Sequence, residues 1–163
     1  MNCPTCGKPA RKAKGGYRFR ESGLGNVFLE GIEIYKCACG EEIVRIPRMA
    51  ALLDKIGEAL VNKPGPLTGP EIRYLRKNAQ LSSQAFAGYL QQAPETLSRW
   101  ENAKRTPGRD TDLLVRLTYA ALKGYGNPDQ ILKALADLRG RLKKKVSITI
   151  KPSAREGFEY VYA

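Results

Sequence analysis

Residues 81–107, LSSQAFAGYLQQAPETLSRWENAKRTP, contain two short amphipathic segments of helical period, separated by a polar break at residues 91–93. Ser82 is a suitable N-cap for the first segment, and Pro94 suits the first turn of the second. Two short helices joined by a tight turn are typical of a helix-turn-helix, which places its second helix in the DNA major groove.

The second segment has two faces. Leu97 and Trp100, three positions apart, are predicted to face the core. The outer face then carries polar side chains at the positions from which a recognition helix reaches base edges. Phosphate contacts are predicted at the start of the first segment and in the basic run that follows the second. The predicted DNA-contacting residues are Glu95, Thr96, Arg99, Ser83, Gln84, Lys104, Arg105 and Arg109.

Each of these residues also has a simpler interpretation. Arg99 is alternatively a surface arginine, and Thr96 contacts either a base or a phosphate. Ser83 and Gln84 are alternatively capping residues only, because the same side chains satisfy N–H groups at a helix start. The basic run is alternatively a solvated loop.

Composition limits the classes of function. The chain has 163 residues, enough for one mid-sized domain or two small ones, and 28 Lys and Arg against 16 Asp and Glu give a net charge of +12. Such a charge favours polyanionic partners, here double-stranded DNA. There is no histidine, no phosphate-binding loop and no acid–base constellation, so we expect neither an enzyme nor a small-molecule substrate. Without a long apolar run or a signal-like start, we expect a cytoplasmic protein that does not enter membranes.

Four cysteines form two close pairs within the first 40 residues, Cys3-Pro-Thr-Cys6-Gly and Cys37-Ala-Cys39-Gly. In a cytoplasmic chain this clustering predicts a metal site rather than disulfides, and four thiolates suit one structural zinc ion. The second pair is one residue shorter than Cys-x-x-Cys. Three ligands with an outside group, or a redox dithiol, therefore remain alternatives.

The sequence predicts an α+β chain: a small N-terminal zinc-bound β-ribbon unit, an all-helical helix-turn-helix domain, and a C-terminal helix with a β-hairpin. The predicted boundaries are residues 1–63 for the zinc unit with a trailing helix, 64–70 for a Pro/Gly linker that permits some movement, 71–124 for the DNA-binding domain, and 125–163 for the C-terminal part. Strands are predicted at 17–20, 27–35, 41–46, 146–151 and 158–162, and a fifth helix of the helical region at 128–144. A hypothesis for residues 125–163 is dimerisation.

The helix preceding that fifth one is predicted near residues 110–123, capped by Asp110 or Thr111. Its apolar face is predicted at Leu113, Leu114, Leu117, Ala120 and Ala121. In the helix before residue 81, Arg73, Arg76 and Lys77 are predicted to face outward.

The stretch from Leu81 to Pro107 resembles the Cro/C1-type helix-turn-helix of the XRE family. Together with the N-terminal Cys-x-x-Cys-Gly unit, residues 1–124 resemble the MqsA-type antitoxins and their YgiT-type zinc finger. The resemblance implies a type II antitoxin that binds operator DNA as a homodimer, represses its own operon and holds a toxin protein through the zinc unit. In that family an Asn and an Arg read bases. Arg99 matches the Arg, and Glu95 replaces the Asn.

A second departure from the family is Ala103, where a glycine is common. If this position has a positive φ, alanine is strained there by about 1 kcal/mol. The alternative to an antitoxin is a stand-alone XRE-family regulator with a structural or sensing zinc site.

Overall fold

The computed structural model describes residues 1–125, 146–154 and 157–163. Within those residues the chain forms a mixed α+β fold with five α-helices and two β-sheets. None of these helices combines the length and the apolar character that crossing a membrane requires. The helix predicted at 128–144 lies outside the described residues.

The first sheet belongs to the cysteine-containing unit. Its strands are β1 (Arg11–Ala13), β4 (Glu33–Lys36) and β5 (Glu42–Arg45), arranged in the antiparallel order β1-β4-β5. Only a small apolar cluster supports it, consisting of Cys3, Ala10 and Cys37 with Tyr35 and Ile43 at its margin. So small a core provides little stability without a cross-link or a metal.

The second sheet joins the two ends of the chain. Its strands are β2 (Tyr17–Arg18), β3 (Val27–Leu29), β6 (Ile148–Ser153) and β7 (Gly157–Tyr162), in the order β2-β3-β6-β7. The C-terminal strands form the predicted antiparallel hairpin, and β6 lies parallel to β3. An isolated hairpin is marginal in water. The pairing with β3 provides the further strand that this hairpin needs.

The helices are α1 (Met49–Asn62), α2 (Gly69–Asn78), α3 (Ser83–Tyr89), α4 (Pro94–Glu101) and α5 (Arg109–Lys123). Local capping explains several of their boundaries. Thr68 and Glu71 form a capping box at the start of α2. The Ser82 side chain accepts a hydrogen bond from the Ala85 N–H, as predicted for the start of α3. Pro94 opens α4, again as predicted.

One hydrophobic core joins the second sheet to the helices. Leu52, Ile56 and Leu60 of α1 are fully buried, and the same core contains side chains of α2 to α5 and of strands β3, β6 and β7. The α1 helix therefore packs between the sheet and the helical region.

The predictions for α5 are wrong in two respects. The helix begins at Arg109 with Gly108 as N-cap, so neither Asp110 nor Thr111 caps it. Its predicted apolar face is correct only in part. Leu113, Leu117 and Ala120 pack in or against the core, but Leu114 and Ala121 are exposed. Asp112, Val115 and Arg116 are buried instead. The reason is that a buried ion pair occupies this face, with Arg116 Nε donating to Asp112 Oδ1 over 2.6 Å.

The same arginine holds the segment between α1 and α2. The Arg116 guanidinium donates to the carbonyl oxygens of Val61, Lys63 and Gly65 over 2.9, 2.8 and 2.6 Å. The backbone N–H of Leu67 donates to Asp112 over 2.6 Å. The segment predicted as a linker is thus anchored by buried groups of α5.

Candidate metal centre and candidate nucleic-acid interface

Two glycine-containing turns bring the cysteines together. In the first, the Gly7 N–H donates to the Cys3 carbonyl over 2.9 Å, and Gly7 has a φ of 70°. In the second, the Gly40 N–H donates to the Cys37 carbonyl over 3.0 Å, and Gly40 has a φ of 91°. Glycine adopts these left-handed conformations without strain, so a glycine closes each turn although the hydrogen bond spans four residues in the first and three in the second.

The four sulfur atoms lie close enough together to hold a single metal ion. All lie within 4.8 Å of one another, with Sγ–Sγ distances of 3.7 Å between Cys3 and Cys39 and 3.4 Å between Cys6 and Cys37. Four thiolates about 2.3 Å from one ion are about 3.8 Å apart, which agrees with this spacing. The distances are far from the ~2.05 Å of a disulfide bond. The four cysteines predicted as ligands therefore lie together and can hold one metal ion.

The thiol pKa values show why a cation suits the cluster. Burial raises the pKa of Cys3, but hydrogen bonds from the backbone of Cys6 and Thr5 outweigh it and lower this pKa to about 7. The pKa of Cys6 is about 12, because the backbone of Lys8 lowers it less than the neighbouring thiols raise it. Ionisation of one thiol thus makes ionisation of a neighbouring thiol less favourable, and a bound divalent cation offsets this repulsion between thiolates.

The α4 helix has one buried face and one exposed face, as the sequence predicts. Leu97 is fully buried and Trp100 is 5% exposed. Glu95 and Arg99, one helical turn apart, are exposed, and Thr96 is half-buried between them. The α3 and α4 helices pack against each other. The structure therefore presents Glu95 and Arg99 to solvent from a packed helix.

Glu101 fixes the C-terminal end of α4 and was not identified from the sequence. This residue is 5% exposed and accepts hydrogen bonds from Arg76 Nε over 2.6 Å and Arg76 Nη2 over 2.9 Å. Arg73 Nε approaches the same carboxylate at 3.4 Å. The hydrogen bond with Glu101 raises the pKa of Arg76. The prediction that Arg76 faces outward is therefore wrong, because this ion pair draws its side chain between α2 and α4. A sequence signal existed, since a carboxylate is unfavourable at a helix C-terminus unless it has a cationic partner.

The basic run follows α4 directly. Lys104, Arg105 and Arg109 are exposed, and within residues 1–125, 146–154 and 157–163 none of them forms an ion pair. Ala103 precedes the run with a φ of 56°, which is the left-handed conformation considered from the sequence. At the start of α3, Ser83 is half-buried and Gln84 is exposed. These residues provide cationic and polar groups on the surface of the helical region.

Comparison with protein-family models, with curated proteins and with solved structures finds no match to this chain.

Proposed function

We propose that the chain is a sequence-specific DNA-binding transcriptional repressor whose α4 helix enters the major groove. The observation that carries the proposal is the external face of α4. Glu95 and Arg99 are exposed one turn apart, while Leu97 and Trp100 anchor the opposite face in the core. The Glu101–Arg76 ion pair limits movement of the helix end. A rigid helix that presents free polar side chains suits direct readout of bases.

The side chains also suit specific roles on DNA. A guanidinium at Arg99 matches the O6 and N7 acceptors of guanine, and a carboxylate at Glu95 accepts from the N4 amino group of cytosine. In this proposal Thr96 contacts a base or a phosphate. Lys104, Arg105 and Arg109, together with Ser83 and Gln84, supply phosphate contacts that set the position of the helix.

We propose zinc as the metal of the four-cysteine site. Four sulfur ligands at tetrahedral spacing are typical of structural zinc, and they leave no open position for a substrate or an activated water. Cys3, Cys6, Cys37 and Cys39 would then join the N-terminal turn to the β4–β5 turn. This cross-link compensates for the small core of the first sheet.

The resemblance to the MqsA-type antitoxins supports a narrower proposal. In it the protein forms a homodimer on its operator, represses its own operon, and holds a toxin through the zinc-bearing unit. Co-expression with the product of the adjacent gene, followed by affinity purification through the full chain, tests the toxin. A stoichiometric complex supports the antitoxin proposal, and a gene without a small neighbour contradicts it.

A stand-alone regulator with a sensing metal site is the second candidate. The exposure of Cys6 and Cys39, in contrast to the buried Cys3 and Cys37, favours it because exposed thiolates exchange metal and react with oxidants. Reversible removal of the metal that changes DNA affinity by more than tenfold would support sensing. Unchanged DNA affinity would leave the metal a structural role.

Selection from a random duplex library tests DNA binding itself. The metal-saturated chain is immobilised, and bound duplexes are amplified and sequenced over successive rounds. We expect enrichment of one short motif that contains G·C pairs. A Glu95→Gln variant should alter the base preference at one position of that motif and leave the others unchanged. Failure of any motif to emerge would contradict the proposed function.

A further inference from the structure

A cleft with a volume of about 570 Å³ lies where the second sheet meets the start of α2. Its apolar lining includes Leu24, Phe28, Pro66 and Pro70, and residues 146–147 also line it. These walls come from three segments that are distant in sequence. Cavities of about 300–1,000 Å³ with mainly apolar walls and a few polar groups are typical of small-molecule sites.

The cationic group at the cleft is Arg18. Its Nε and Nη2 atoms donate to the Gly25 carbonyl over 3.1 and 2.8 Å, which fixes the guanidinium and leaves Nη1 available. In the described parts of the chain Arg18 has no carboxylate partner. The side chain is exposed. Arg18 is therefore a positioned cation whose charge no described side chain neutralises.

The carboxylate at the cleft is neutralised within the protein. Glu71 is 1% exposed and accepts from Lys63 Nζ over 2.7 Å and from the Thr68 N–H over 2.7 Å. Asn26 Nδ2 donates to it over 3.0 Å. Because Lys63 and Glu71 compensate each other, the uncompensated charge at the cleft is that of Arg18.

We propose that this cleft binds a small amphipathic anion with an aromatic or branched apolar body and one carboxylate. The body lies between Phe28 and the two prolines, where burial of apolar surface is favourable. The carboxylate binds the free side of the Arg18 guanidinium, whose planar fork suits carboxylates. The site does not depend on DNA binding by the chain.

One wall of the cleft is connected to the helix that carries the proposed base contacts through the start of α2. Thr68, Pro70 and Glu71 line the cleft and lie at the first turn of α2. Within this turn Gly69 packs against the backbone at the end of α4, where an added Cβ would lie 2.9 Å from the Glu101 carbonyl oxygen and 3.1 Å from the Ala103 nitrogen. A ligand in the cleft thus contacts the turn that supports α4.

Two probes that differ only in charge test the proposal. Naphthalene-2-carboxylate and naphthalene-2-carboxamide are each titrated into the full, metal-saturated, ¹⁵N-labelled chain, and amide chemical shifts are followed. We expect saturable shifts at Gly25, Phe28 and Ser147 with the carboxylate. The carboxamide should bind at least about tenfold more weakly, since it lacks the charge-assisted hydrogen bond to the guanidinium.

Matched variants assign the effect to one side chain. Arg18→Gln should weaken carboxylate binding at least about tenfold, whereas Arg20→Gln, which removes an exposed arginine outside the cleft, should not change it. Unshifted amide signals elsewhere confirm that each variant is folded. The proposal is overturned by an absence of saturable shifts at low millimolar carboxylate, by equal binding of the two probes, or by native affinity in Arg18→Gln.

Discussion

Replacing Arg116 with methionine should be one of the most destabilising single substitutions in this protein. Arg116 is fully buried and donates to Asp112 and to the carbonyls of Val61, Lys63 and Gly65. Methionine retains the apolar stem but removes every donor. Among the residues that the structure describes, the Asp112 carboxylate, 3% exposed, would keep only the Leu67 N–H as a partner.

The expected loss in the free energy of unfolding follows from the Asp112 carboxylate, which stays buried without its ion-pair partner. Breaking a buried ion pair by removing one partner costs about 3–5 kcal/mol. Total free energies of unfolding are about 5–15 kcal/mol, so this loss is a substantial fraction of the stability. Removing the carboxylate as well, in Arg116→Met/Asp112→Leu, should restore part of the loss because no buried charge then lacks a partner.

Urea unfolding of the metal-saturated chain, followed by tryptophan fluorescence and circular dichroism, measures the effect. The control is Lys12→Met, which breaks the exposed Lys12–Glu33 pair of 2.7 Å and should change the stability little, because solvent screens exposed ion pairs. If Arg116→Met loses no more stability than the control, the segment between α1 and α2 is not anchored as described.

Three further predictions concern the metal, the backbone and pH. Chelating the metal should remove the dispersed amide signals of β1, β4 and β5 from NMR spectra, while those of the α1 core persist. The reason is that the first sheet has little core of its own. Equal loss of both sets of signals would contradict this prediction. Ala103→Gly should raise the free energy of unfolding by about 1 kcal/mol because φ is 56°, and Gly124→Ala, at a φ of 69°, should lower it by a similar amount. Burial raises the pKa of Tyr125 to about 12, so its contribution to stability is complete below pH 10 and is lost as the pH rises towards 12. Urea unfolding at pH 9–11 should therefore show a shallower decline in Tyr125→Phe, and a slope identical to the native one would refute the assignment.

Local signals explain what could be predicted from the sequence. Ser82 and Pro94 begin helices through local backbone preferences, so capping rules locate them. Leu97 and Trp100 follow helical period, and the structure places both in the core. The clustering of the four cysteines was predictable because paired cysteines carry a spacing signal.

Long-range partners explain what could not be predicted. Arg116 and Asp112 are charged residues that form an ion pair with each other inside the core, so the apolar pattern of α5 located its buried face only in part. The pairing of β6 with β3 joins residues about 120 positions apart, and strand alternation does not specify a partner. The Glu101–Arg76 pair similarly depends on the packing of α4 against α2.

The most direct test of the central claim is the DNA affinity of an Arg99→Ala variant. Fluorescence anisotropy with the duplex selected by the native chain gives the dissociation constant at fixed salt concentration, and Arg11→Ala, an exposed arginine of β1, serves as the control. Loss of a base contact of about 1–3 kcal/mol predicts a roughly 5- to 150-fold weaker affinity for Arg99→Ala, with relaxed preference at one position. Arg11→Ala should bind as the native chain does. Native affinity and native preference in Arg99→Ala would contradict the assignment of α4 as the helix that reads DNA.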